Sequence, residues 1–107
     1  MRDGSPLGFA GIWESWNSPD GGNLETFSIL TTGANSLMAP IHDRMPVILH
    51  PAEFTHWLDR TINDPHYIER LYQPFPAELM QSWRVSKLVN SPAHDSAECL
   101  KAVPENE

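Results

Sequence analysis

Apolar and polar positions alternate along the first third of the chain. From Pro6 to Trp16, Leu7, Phe9, Gly11 and Trp13 alternate with Gly8, Ala10 and Ile12, which predicts a strand. Its glycines permit a bend or a close neighbour. Asn17-Ser18-Pro19-Asp20-Gly21-Gly22 joins a proline to Asp-Gly and predicts a turn. Leu24 to Thr32 is rich in β-branched and aromatic residues and predicts the returning strand of a hairpin. Gly33-Ala34-Asn35 ends it, with Asn35 placed to cap a helical turn over Ser36 to Ala39. Val47-Ile48-Leu49 predicts a short buried strand.

Helical spacing follows. Pro51 stands at a first helical position, Glu53 lies in the first turn, and Phe54, Trp57 and Leu58 share a face. This predicts an amphipathic helix over Ala52 to Arg60. Asp64-Pro65 predicts the cap and first turn of a second helix reaching Leu71. Pro74 and Pro76 interrupt regular structure before a single helical turn over Ala77 to Gln81. Trp83, Val85, Lys87 and Val89 alternate with Arg84, Ser86 and Leu88, which predicts a strand over Ser82 to Val89. Asn90-Ser91-Pro92 breaks it, and Asp95 is placed to cap a last turn through Leu100. Residues Lys101 to Glu107 read as a charged, frayed tail. The pattern predicts one α+β domain, mainly antiparallel β-sheet or a partial barrel with short helices. Trp13, Trp57 and Trp83 fall in patterned elements as core residues, whereas Trp16, beside the turn, is freer.

Composition narrows the function classes. With 107 residues the chain makes at most one domain with a modest core. Ten prolines against six glycines favour rigid loops over disorder. A net charge of −7, spread over both halves, excludes strong nucleic-acid affinity driven by net charge alone. A local basic groove of Arg44, Arg84 and Lys87 remains compatible with it. The single cysteine, Cys99, excludes an internal disulfide and suits a reducing compartment. No apolar run approaches a membrane span or a signal-peptide core, which predicts a cytoplasmic protein without membrane contact.

The densest chemistry lies in Ala39-Pro40-Ile41-His42-Asp43-Arg44-Met45-Pro46. Two prolines restrict this loop, and the apolar run after it anchors one end. The plain structural expectation is an Asp43–Arg44 ion pair in solvent. The functional one is an imidazole that moves protons near neutral pH beside a guanidinium that holds an anion such as phosphate. Thr31 and Thr32 end the preceding strand, and the connecting loop can return His42 to their hydroxyls. Five histidines are present, but their spacing matches no common zinc site, so no metal and no cofactor is expected. Cys99 lies between Glu98 and Leu100 and reads as a small core residue.

Five segments together resemble the SOS response-associated peptidase (SRAP) family. They are Phe9-Ala10-Gly11-Ile12-Trp13-Glu14-Ser15-Trp16, Glu25-Thr26-Phe27-Ser28-Ile29-Leu30-Thr31-Thr32, Ala34-Asn35, Ile41-His42-Asp43-Arg44-Met45-Pro46-Val47-Ile48-Leu49 and Val85-Ser86-Lys87-Leu88-Val89-Asn90. The resemblance runs over residues 3–100. It implies action on abasic sites in single-stranded DNA, where an N-terminal cysteine bonds the opened sugar in a stable crosslink. It also implies self-cleavage of an N-terminal extension. In that setting the position of His42 assists the sugar chemistry, that of Arg44 contacts phosphate, and that of Thr31 lies in the same site.

The departures are as informative. The family begins Met-Cys-Gly, whereas Arg2 follows Met1 here. Glu14 lies between tryptophans as the family's catalytic glutamate does. The order of segments nevertheless places that glutamate in an earlier element, and Glu14 is set aside. The expectation is therefore the C-terminal part of an SRAP domain over residues 3–100, truncated, with a tail over 101–107. Three readings follow: a partial abasic-site crosslinking protein, a non-catalytic single-stranded DNA-binding remnant using Arg44, Arg84 and Lys87, or an inactive fragment. Missing strands are expected to leave open sheet edges that invite self-association.

Overall fold

The computed structural model describes residues 1–62 and 64–104. Three extended stretches, residues 8–17, 23–33 and 44–49, form the β-structure, and each is broken at one residue. The first comprises β1 (Gly8–Phe9) and β2 (Gly11–Asn17), the second β3 (Asn23–Ile29) and β4 (Thr31–Gly33), and the third β5 (Arg44–Pro46) and β6 (Ile48–Leu49). Three antiparallel pairs result: β1 with β6, β2 with β3, and β4 with β5.

The breaks at Ala10, Leu30 and Val47 are one feature. The Ala10 N–H donates to the Val47 carbonyl (2.9 Å), the Val47 N–H to Leu30 (2.8 Å), and the Leu30 N–H to Ala10 (2.9 Å). In this closed ring of hydrogen bonds each stretch leaves one neighbour and takes another. Ala10 and Val47 are buried there, where a backbone amide has to find a protein partner. Continuous strands were expected over Pro6 to Trp16 and Leu24 to Thr32; the junction divides both. The expected Val47–Leu49 strand also shifts, because Val47 belongs to the junction and pairing begins earlier, at Arg44. The architecture is the expected α+β with antiparallel pairing, and among the described residues the sheets do not close into a barrel.

The 45–49 segment serves both hydrophobic clusters. Met45 and Ile48 join Phe75 and Met80, against which Met1, Leu37 and Met38 pack. Val47 and Leu49 join Ala10, with Leu30, Phe54, Trp57 and Leu71 around them. Gly8 provides the close approach that its sequence context suggests: a Cβ there would stand 2.6 Å from Phe54 Cε1. The chain start is tied down by Arg2, whose N–H donates to the Leu79 carbonyl (2.8 Å) and whose Nε donates to Glu78 (3.0 Å).

A 3-10 turn over Pro51–Glu53 leads into α1 (Phe54–Leu58), with proline opening the turn as expected. α2 (Pro65–Leu71) is capped by Asp64, which accepts from the His66 N–H at 3.0 Å. His56 and His66 are exposed on these helices, as their positions suggest. Tyr67 is buried and donates its hydroxyl to Glu53 Oε2 (2.9 Å). Burial first, then the Glu53 carboxylate, push its pKa up to about 12. The predicted turn after Pro76 forms over Ala77–Leu79.

The C-terminal expectations need correction. Ser82 to Val89 is not a strand: only Val85 bridges to Ala102, and Lys87–Asn90 is a 3-10 turn capped by Ser86. Alternation alone does not make a strand where no neighbouring strand runs alongside. Ser96, not Asp95, precedes the turn over Ala97–Leu100, and it makes no side-chain cap. Residues 101–103 are held rather than frayed, through the Lys101–Glu98 ion pair (2.8 Å) and the Val103 N–H bond to Arg84 (2.9 Å). Residues 105–107 of the expected tail lie outside the described residues. Trp57 packs as expected, but Trp13 and Trp83 are 62% and 52% exposed and are not core.

Candidate functional site

The loop between β4 and β5 is built on Asn35. Its Oδ1 accepts from the Leu37 and Met38 N–H groups (3.1 and 3.0 Å), forming the cap anticipated from sequence. Its Nδ2 also donates to the Phe75 carbonyl at 2.7 Å, fastening the loop to the first cluster. The Asn35 N–H reaches Met45 Sδ at 3.3 Å. The Met38 carbonyl then accepts the N–H groups of Ile41 and His42 (2.8 and 2.9 Å), which sets where the imidazole leaves the backbone.

β-pairing places the arginine. Gly33 lies opposite Arg44, and Thr31 opposite Pro46. Side chains two apart share a face, so Thr31 is the diagonal neighbour of Arg44, and Gly33 has no side chain to intervene. Arg44 Nη2 accordingly donates to both the carbonyl and Oγ1 of Thr31, each at 2.9 Å. Two of its five donors are used, leaving three on an exposed side chain for an incoming anion. Thr32 points to the other face, where its hydroxyl donates to the Tyr72 carbonyl at 2.6 Å. Of the two threonines, Thr31 therefore belongs to the site and Thr32 to the interior.

His42 is 67% exposed on its side chain. Its Nδ1 lies 3.0 Å from the Arg44 amide nitrogen and 3.2 Å from Asp43 Oδ1. Nδ1 also lies 3.2 Å from the Arg44 carbonyl, so Arg44 offers it a donor and an acceptor and its backbone serves either neutral tautomer. The solvent Asp43–Arg44 pair is therefore replaced by two other contacts: Arg44 is held by Thr31, and Asp43 faces His42. These contacts bring His42, Arg44 and Thr31 together.

Arg84 and Lys87 lie on a different segment of the chain. The segment they belong to is held by residues 97–103, through the Val85–Ala102 bridge and the Trp83 Nε1 bond to the Leu100 carbonyl (2.8 Å). No described hydrogen bond links Lys87 to the His42–Arg44 loop. Cys99 is buried, and its Sγ donates to the His94 carbonyl at 3.6 Å. Among the described residues, no His, Cys, Asp and Glu side chains group to hold a metal, and no helix is long and apolar enough to cross a membrane. A cleft of about 720 Å³ lies between β2 and the α1–α2 region and is lined by Trp13, Trp57 and Tyr67 rather than by the loop. Sequence reasoning missed Met45 as an acceptor and the second role of Asn35. Both depend on Phe75 and on the fold of the loop, which leave no local signal.

Comparison with known proteins gives a consistent result. A family model described as SOS response associated peptidase (SRAP) matches residues 1–92. The chain is 43% identical over 102 residues to the abasic site processing protein YoqW of Bacillus subtilis (strain 168), covering 95% of this chain and 46% of that protein. It is 38% identical over 96 residues to the abasic site processing protein HMCES of Gallus gallus, covering 88% and 28% respectively. A crystal structure of a protein from Bacteroides thetaiotaomicron superposes with a TM-score of 0.77 at 30% identity, covering 91% of this chain and 44% of that one. The chain thus spans less than half the length of these relatives.

Proposed function

This chain belongs to the SOS response-associated peptidase family, and we propose that it forms the histidine-and-arginine side of a site that processes abasic lesions in single-stranded DNA. The carrying observation is the Arg44 guanidinium, braced on Thr31 at 2.9 Å beside an imidazole whose Nδ1 is engaged by the Arg44 amide. A braced arginine loses little freedom when it grips a phosphate with its remaining donors. The same phosphate would bring the opened deoxyribose of an abasic site close to His42. The exposed imidazole would then assist proton transfer at the sugar oxygen. Arg84 and Lys87 would extend the basic track, and the peptidase action for which the family is named would use the same histidine. DNA is the partner and the cytoplasm the compartment in this reading.

With a net charge of −7, affinity depends on these local groups and on salt. Arg44→Ala is expected to weaken binding of an abasic single-stranded oligonucleotide roughly tenfold at low salt, as removal of a charge-assisted hydrogen bond does. It should also flatten the logarithmic salt dependence by about 0.7 for each phosphate left without its cation. Fluorescence anisotropy across a salt series measures both; unchanged affinity and slope would remove Arg44 from the interface.

Covalent capture needs a nucleophile. The only thiol in this chain is Cys99, buried within the 97–100 turn. The 107-residue chain by itself is therefore expected to hold abasic DNA reversibly. On a denaturing gel after incubation, no shifted band should survive heating. A heat-stable band would show that another residue forms the bond.

A further inference from the structure

We propose that Met38 is a modification site, oxidised by peroxides to the sulfoxide, and that its thioether latches the loop carrying His42 and Arg44 to the core. All four methionines of the chain meet in one hydrophobic cluster. Met45 and Met80 are buried there, and Met1 and Met38 pack against them partly buried. The cluster also touches the anchor of the β4–β5 loop through sulfur. The Asn35 N–H donates to Met45 Sδ (3.3 Å), and Asn35 Nδ2 donates to Met80 Sδ (3.4 Å). A leucine at either position would offer no acceptor.

Met38 joins this cluster to the loop. Its side chain packs on the core, its N–H donates to Asn35 Oδ1 (3.0 Å), and its carbonyl accepts the N–H groups of Ile41 and His42 (2.8 and 2.9 Å). The side chain thus fixes a backbone that in turn fixes where the imidazole begins. Met38 is only partly buried and is open to a small oxidant, whereas Met45 and Met80 are shielded. In the reaction the sulfur lone pair attacks one oxygen of hydrogen peroxide; an S–O bond forms and the O–O bond breaks. Sulfur gives up an electron pair, and the other oxygen leaves as water with both protons. The product is a polar side chain where a flexible apolar one stood, and it disrupts methionine-rich packing. Holding the new oxygen against the cluster without a donor is unfavourable, so the side chain leaves and draws the Met38 backbone away from Asn35. Methionine sulfoxide reductase returns the thioether, which makes the release reversible. The effect on DNA rests on the function proposed above; the latch itself does not, and it is tested without DNA.

The 107-residue chain is treated with dilute hydrogen peroxide, added oxygen is located by peptide mass spectrometry, and amide hydrogen exchange is followed by NMR. Met38 is expected to gain oxygen before Met45 and Met80. Exchange at Ile41 and His42 should then quicken by about tenfold or more with the β6 amides unchanged, and methionine sulfoxide reductase should restore the original rates. Met38→Leu conserves volume and should keep the loop protected through the same treatment, although Met1 remains oxidisable. Met38→Gln, polar as the sulfoxide is, should loosen the loop with no peroxide present. Oxygen on Met45 or Met80 while Met38 stays a thioether overturns the proposal. Unchanged exchange at Ile41 and His42 once Met38 is oxidised overturns it too, as does a Met38→Leu loop that peroxide loosens as much as the parent's. Equal quickening at β6 would show that oxidation unfolds the domain rather than releasing the loop, and it also defeats the proposal.

Discussion

Met45→Ala is expected to destabilise the chain by about 2–5 kcal/mol, the range for truncating a buried large side chain. Met45 is 2% exposed and packs with Ile48, Phe75 and Met80 beneath the candidate loop. Its sulfur also accepts the Asn35 N–H at 3.3 Å, so the alanine variant opens a cavity and strips a partner from a loop amide. The described core is small, and stabilities of this class of domain are about 5–15 kcal/mol, so the loss is a large fraction of the total. Melting should fall by roughly 4–8 °C for each kcal/mol lost. Met45→Leu separates the two contributions. It conserves volume, which costs less than about 1.5 kcal/mol, but leaves the Asn35 amide without its acceptor. Thermal denaturation followed by circular dichroism should rank parent, leucine and alanine in falling order. Equal melting of leucine and parent would show that the sulfur contact contributes nothing, and equal melting of alanine and parent would contradict the packing.

Asn35→Ala is expected to cost about 1.5–5 kcal/mol and to disorder the loop with it. Removing the cap accounts for about 0.5–2 kcal/mol. Leaving the Phe75 carbonyl without a donor adds about 1–3 kcal/mol, because Phe75 is buried and Asn35 Nδ2 supplies it at 2.7 Å. The functional consequence runs through Met38. The Asn35 side chain holds the Met38 N–H, and the Met38 carbonyl holds the His42 N–H. Asn35→Asp keeps the cap oxygen but loses the donor and brings a carboxylate to the Phe75 carbonyl. It should therefore recover little stability. In NMR spectra of Asn35→Ala, the amides of Ile41 and His42 should lose exchange protection more than those of β6. Uniform loss would mean that Asn35 stabilises the domain without positioning the loop.

Much of the candidate site was legible in sequence because it is local. His42, Asp43 and Arg44 are consecutive, and Thr31 lies just across one short loop, so order along the chain resembles proximity in space. The pairing inside the site was not legible. Which partner Arg44 takes depends on Gly33 lying opposite it in the β4–β5 register. Register is a non-local property, and it turned an expected Asp43–Arg44 pair into an Arg44–Thr31 brace.

By itself, the sequence determined the features set by backbone chemistry within a few residues. These include the turn at Pro19-Asp20-Gly21, the Asp64 cap with Pro65 behind it, the turn opened by Pro51, and the return of the chain from β2 to β3. In each, a proline, glycine or capping side chain restricts the torsions or bonds of its immediate neighbours, so no distant contact is needed. Tertiary structure alone decided where strands break and what they cover. The ring through Ala10, Leu30 and Val47 divides three stretches that look continuous in pattern. It does so because backbone amides bond to whichever carbonyls the packing presents. Alternation in Trp13 and Trp83 correctly marks apolar positions, but it cannot say whether anything stands against them. Periodicity records which side chains prefer to leave water, and only the assembled structure determines which of them do.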